Sequence, residues 1–106
     1  MRPPVVREGA FQSMVIDLAV WLGWPRDLVF HPRVMWSSRR GYPDLTLVNP
    51  TQRRLLWVEL KAARTKITPA QQYWVQAIRE AGGEAYIWRD GETTTDEMVA
   101  VLKGTA

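Results

Sequence analysis

The hydrophobic positions along the chain follow two periods. From Glu8 to Leu22, Phe11, Val15, Leu18, Ala19 and Leu22 recur at the spacing of one helical face, widened by Met14 and Trp21. Gly23 and Pro25 mark its end, and Pro3-Pro4 upstream reads as a short extended arm. Leu28-Val29-Phe30-His31 is a short strand stopped by Pro32, and Arg33 to Gly41 is a polar, basic loop. Asp44–Val48 and Leu55–Lys61 read as strands. The Asn49-Pro50-Thr51-Gln52 turn between them is short enough to make an antiparallel hairpin. Thr68-Pro69-Ala70-Gln71 starts a helix: Thr68 caps, Pro69 fits the first helical position and Gln71 closes a capping box. Ala70, Trp74, Ala77, Ile78 and Ala81 form its apolar face, and Gly82-Gly83 ends it. Ala85–Arg89 is a fourth strand closed by Asp90-Gly91. Thr94 and Glu97 form a second capping box at the start of a helix over Thr95–Lys103, with Gly104 as its stop.

The order α-β-β-β-α-β-α implies an α/β fold. Helices with apolar faces need a sheet to cover, so the expected architecture is a small mixed sheet flanked by helices. The strand after the second helix returns parallel to Leu55–Lys61 by a right-handed crossover.

Composition narrows this picture. A chain of 106 residues with 46% hydrophobic residues suits one domain, taken as 1–106, and can bury a core without staples. The absence of cysteine excludes disulfides, thiolate zinc sites and cysteine nucleophiles. No apolar run approaches the roughly 18 residues of a membrane span, and the N-terminus lacks a signal-peptide core. The expectation is a soluble protein of the cytoplasm, with no membrane partner. The net charge of +3 is uneven: residues 1–58 carry eight cations and four anions, residues 59–106 six and seven.

Glu59 and Lys61 stand two apart on one strand, so their side chains share a face, while Leu56, Val58 and Leu60 point into the core. The hairpin brings the start of one strand, Asp44, against the end of the other. Two carboxylates and an ammonium then converge, and a cation between the carboxylates relieves their repulsion. All these donors are oxygens, which selects Mg²⁺ or Mn²⁺ over zinc. Metal-assisted phosphodiester hydrolysis is the natural reaction class. The bland readings are a strand-initiating turn for Asp44 and a solvated charge face for Glu59 and Lys61.

Gly41-Tyr42-Pro43-Asp44 followed after fourteen residues by Glu59-Leu60-Lys61 resembles the PD-(D/E)xK nuclease signature. The finer resemblance is to the VRR-NUC family, the virus-type replication-repair nucleases. It rests on Glu8 and Gln12, Leu22-Gly23-Trp24, Gly41-Tyr42-Pro43-Asp44-Leu45, Val58-Glu59-Leu60-Lys61, Lys66-Ile67-Thr68-Pro69-Ala70-Gln71 and Ala81-Gly82-Gly83, spanning about residues 7–90. The resemblance implies a restriction-endonuclease-like α-β-β-β-α-β core, here followed by a C-terminal helix. It implies a Mg²⁺- or Mn²⁺-dependent DNA endonuclease. Asp44, Glu59 and the Leu60 carbonyl would bind metal, Glu8 would complete the acidic cluster, Lys61 would be the catalytic lysine and Gln71 an accessory site residue. Stand-alone members of this size resemble phage proteins that act as homodimers on branched DNA, including four-way junctions, in a bacterial or phage-infected host cell. Larger relatives carry substrate-choosing domains, so flap or repair specificity is not carried over.

Other residues are read both ways. Glu8 could answer the helix dipole from the first turn, and Gln71 could serve only the capping box. Of the cations Arg33, Arg39, Arg40, Arg53, Arg54, Arg64 and Lys66, the adjacency of their loops to Asp44 and Lys61 favours Arg39, Arg40 and Lys66 as phosphate contacts. Trp36 could stack on a base or pack in a dimer interface. Trp57 shares the Glu59 face. Trp21, Trp74 and Trp88 are expected in the core, Trp24 in core or interface, and His31 partly buried outside the site. The rival functions are a catalytically silent nucleic-acid-binding module on a nuclease fold and a structural protein with a charged assembly face.

Overall fold

A computed structural model of the chain describes residues 4–32 and 40–105, with side chains described from Gly9 onward in the first helix. The elements run α1 (Pro4–Trp21), a 3-10 turn (Arg26–Leu28), β1 (Val29–Phe30), β2 (Leu45–Asn49), β3 (Arg54–Lys61), α2 (Pro69–Glu80), β4 (Glu84–Arg89) and α3 (Thr95–Lys103). One four-stranded sheet has the order β1-β2-β3-β4; β2 pairs antiparallel with β1 and β3, and β4 pairs parallel with β3. This is the mixed sheet that the hydrophobic pattern implies. Among the described residues no helix is long and apolar enough to cross a membrane.

One face of the sheet carries the main core. Phe11, Val15 and Ala19 of α1 and Met98, Val101 and Leu102 of α3 close over Leu45, Leu47, Leu56, Val58 and Trp88. Trp24 is buried among them, and its indole N–H donates to the Leu102 carbonyl at 2.9 Å, tying the exit of α1 to the end of α3. Across β2 and β3, Thr46 faces Trp57 on the opposite side of the sheet, where α2 packs. Both capping boxes form as the sequence implies, at Thr68/Gln71 and Thr94/Glu97.

Several expectations change. The first helix begins at Pro4, not Glu8, because proline suits a first helical position as well as it suits an extended arm. Residues 26–28 form a 3-10 turn, so the Leu28–His31 strand contracts to Val29–Phe30 and His31 is exposed beyond it. Trp21 is 85% exposed at the end of α1 rather than in the core. It continues the helical period, but the chain leaves the sheet there and Trp24 fills the place beneath. On α2 the fully buried residue is Val75; Trp74 is half-buried and Ala81 is exposed at the C-cap. Leu60 is only half-buried, whereas Glu59 and Lys61 on the other face are buried. Arg53 and Arg54 lie at the end of β3 away from Lys61. Arg54 is committed there, forked onto both Glu84 oxygens at 2.7 and 3.0 Å and stacked on Trp24.

Candidate active site

The hairpin register delivers Asp44 to the far end of β3. Leu45 pairs with Val58, which places Asp44 beside Glu59 and Leu60, one residue before β2 begins. The Asp44 Oδ2 accepts the Leu60 backbone N–H at 2.8 Å, so the carboxylate is fixed to the strand that bears Glu59 and Lys61. The loop that presents it is docked onto α2. Gly41 has φ of +85°, and a Cβ there would fall 2.4 Å from the Ala70 backbone. Next to it, the Tyr42 ring meets Trp74 edge-on at 5.0 Å. The Tyr42 hydroxyl accepts the Trp57 indole N–H at 3.0 Å and is hydrogen-bonded to the Thr46 hydroxyl. Pro43 is buried. The Trp57 ring, expected on the Glu59 face, therefore braces the loop that carries Asp44.

Glu59 is 1% exposed, and its Oε1 is a buried oxygen without a hydrogen-bond partner. Burial is the first cause pushing its carboxyl up to about 8; the charge of Asp44 adds to this, and Lys61 opposes it. Lys61 is 7% exposed, and its ammonium donates to Gln71 Oε1 at 3.2 Å. The same oxygen accepts the Thr68 backbone N–H at 2.9 Å, closing the capping box. Gln71 thus holds the helix start and the lysine with one atom.

A cleft of about 310 Å³ is lined by Gly9, Phe11, Gln12, Asp44, Leu60, Ala62 and Asp90; Asp44 and Leu60 thus reach it, while Glu59, Lys61 and Gln71 lie outside its lining. Glu8 lies one helical turn before Gln12 on α1, and its side chain is outside the described residues. Because α1 starts at Pro4, Glu8 falls beyond the first turn, which removes the helix-dipole reading. Asp90 was not anticipated as a site residue. Its backbone N–H donates to the Lys61 carbonyl at 2.9 Å, extending the β3–β4 ladder and placing it at the cleft rim. The signal was available: a crossover that makes β4 parallel to β3 brings the C-terminal ends of both strands to the same edge.

Of the expected phosphate contacts, Arg40 and Lys66 are exposed, and Arg39 lies outside the described residues, as do Arg33 and Trp36. Among the described residues no three Asp, Glu or His side chains are arranged to hold a metal ion. Asp44 and Glu59 flank the Leu60 backbone, and Asp90 lines the same cleft as Asp44 and Leu60.

The VRR-NUC domain family matches residues 13–89, which include Asp44, Glu59, Lys61 and Gln71. The chain belongs to the VRR-NUC domain family. This is a family of nuclease domains. A Fanconi-associated nuclease 1 homolog from Caenorhabditis elegans is 35% identical over 51 residues, which is 48% of this chain and 6% of that protein. The chain thus spans a small part of the curated relative it matches. Two solved structures share the fold. A VRR_NUC domain protein has a TM-score of 0.67 at 19% identity, covering 92% of this chain and 86% of its own. A second VRR_NUC domain has a TM-score of 0.66 at 20% identity, covering 93% and 97%.

Proposed function

We propose that this VRR-NUC chain is a divalent-cation-dependent endonuclease that hydrolyses DNA phosphodiester bonds, selects branched DNA such as four-way junctions, and works as a homodimer. The observation that carries the reading is the Glu59 carboxylate, buried with one oxygen unpartnered beside Asp44 and two residues from Lys61. A buried carboxylate oxygen without a partner is costly, and a cation supplies the missing interaction. Asp44, Glu59 and the Leu60 carbonyl offer oxygen donors only. That set fits Mg²⁺ or Mn²⁺, since Mg²⁺ is commonly held by one or two carboxylates and keeps several waters. Glu8, from the turn of α1 before Gln12, would add a third carboxylate.

When bound, the ion would polarise a phosphoryl oxygen and lower the pKa of a water. The chain's own groups do the rest. The Leu60 N–H holds the Asp44 carboxylate in place. Gln71 holds the Lys61 ammonium at the end of β3, where it can stabilise charge on the phosphate or orient the attacking water. Arg39, Arg40 and Lys66 would contact flanking phosphates. A single cleft cuts one strand, so paired incisions on a symmetric junction need two copies related by a twofold axis.

Three measurements test this reading. Calorimetry with Mn²⁺ should show binding that Asp44→Asn weakens, and gel filtration with light scattering should give twice the chain mass. A labelled four-way junction should be cut in Mg²⁺ or Mn²⁺ and remain intact in EDTA. Heat-silent titration of Mn²⁺ together with cutting in EDTA would overturn the metal assignment; a junction bound but never cut would favour the silent binding module.

A further inference from the structure

Two arginines stand in the left-handed backbone region, Arg53 at φ +56° and Arg64 at φ +68°. Both occupy positions where a turn asks for glycine. Residues 62–65 form a turn closed by the Thr65 N–H on the Ala62 carbonyl at 3.2 Å. Arg64 is its third residue, with the positive φ of a type II turn. Arg53 follows the Pro50 turn in the β2–β3 hairpin, where a left-handed residue matches the strand twist. Arginine costs more than glycine at either place. The backbone does not distinguish the two; their surroundings do.

Arg64 follows two residues after Ala62, which lines the cleft. The turn is pinned from β4: Arg89 donates one guanidinium N–H to the Ala62 carbonyl at 3.1 Å, and the same nitrogen donates to the Thr65 carbonyl. Both ends of the turn are therefore fixed to Arg89, the last residue of β4, next to Asp90. The Arg64 side chain projects from this clamped turn into solvent, two residues before exposed Lys66. Among the described residues neither cation has an ion-pair or hydrogen-bond partner in its side chain. Arg53 has the same backbone at the opposite end of β3, roughly 25 Å away along an eight-residue strand.

We propose that Arg64 is a DNA-binding residue, presented by the Arg89-clamped turn to a backbone phosphate of the strand entering the cleft. The proposal rests on the reading of the chain as a DNA nuclease and names a contact within it. The clamped turn fixes the backbone from which the guanidinium extends, and the side chain orders when it meets the phosphate. Retaining arginine at a glycine position beside the cleft is then a trade of stability for binding.

Fluorescence anisotropy of the full chain with a labelled four-way junction in EDTA, over 50–200 mM salt, tests this. Each phosphate contact adds about 0.9 to the slope of log affinity against log salt. Arg64→Gly should lower that slope by about one and weaken binding about fivefold to tenfold near 0.1 M salt. It should also raise the thermal midpoint by a few degrees. Arg64→Lys should keep the slope, and Arg53→Gly should raise the midpoint without changing binding. An Arg64→Gly protein with the parent slope would overturn the inference while leaving the nuclease reading in place. A parent chain that binds no junction would overturn both, and an equal loss of slope in Arg53→Gly would assign the effect to net charge, against Arg64.

Discussion

At the scale of single residues, the site is a conflict between stability and chemistry centred on Glu59. Its carboxyl is pushed from 4.5 up to about 8, first by burial and then by Asp44, so the folded protein holds a proton that the unfolded chain releases near its ordinary value. The native state binds more protons between about pH 4.5 and 8, and stability therefore falls as pH rises through that window. Chelator-treated protein should show a thermal midpoint that declines from pH 5 to pH 8. Glu59→Gln should flatten the decline and raise the midpoint at pH 8 by several degrees, read by circular dichroism. Saturating Mn²⁺ should offset the decline in the parent and leave Glu59→Gln unmoved. Gln71 can be dissected in the same way. Thr68→Ala and Gln71→Ala each remove the capping box and should cost about 1 kcal/mol in urea denaturation. Only Gln71→Ala releases Lys61, so it should lower kcat well below the Thr68→Ala value. The pairing of Asp44, Glu59 and Lys61 was legible in the sequence because hairpin register is arithmetic. The burial of Glu59 and Lys61 was not, since charged residues two apart read equally as a solvated strand face until a helix is known to cover them.

At the scale of elements, the site depends on how the loop before β2 docks on α2. Gly41 meets the Ala70 backbone so closely that no side chain fits, and its φ is positive. Gly41→Ala should destabilise the fold by more than about 2 kcal/mol in urea denaturation, from clash and backbone strain together. Tyr42→Phe is the gentler probe. It removes the acceptor for the Trp57 indole and the bond to Thr46, should cost about 1–2 kcal/mol, and should reduce cutting by loosening Asp44. The elements were readable in outline. Capping boxes at Thr68/Gln71 and Thr94/Glu97 fixed two helix starts because their signal is local. The start of α1 was misplaced because Pro3-Pro4 satisfies two local rules, and β1 shrank to two residues because a 3-10 turn shares the composition of a strand entrance. The docking of Gly41 on Ala70 joins residues far apart in sequence and leaves no periodic trace.

At the scale of the whole molecule, Asp44, Glu59, Lys61 and Asp90 gather at one end of the sheet, where β3 and β4 end together. The other end is held by Trp24, Arg54, Glu84 and the Leu102 carbonyl, a structural cluster separate from the cleft. The two tryptophans at the exit of α1 separate core from surface. Trp24→Ala should cost about 3–5 kcal/mol, whereas exposed Trp21→Ala should stay within about 0.5 kcal/mol in urea denaturation. Any effect of Trp21→Ala on mass in solution would mark it as part of the proposed dimer contact. The central claim is that buried Glu59 completes a cation-dependent nuclease site. Its most direct test is Mn²⁺-dependent cutting of a labelled four-way junction by Glu59→Gln, a variant expected to fold at least as stably as the parent. Cutting by the parent should require Mn²⁺, and the folded Glu59→Gln protein should not cut. Cutting by that protein at the parent rate would contradict the claim.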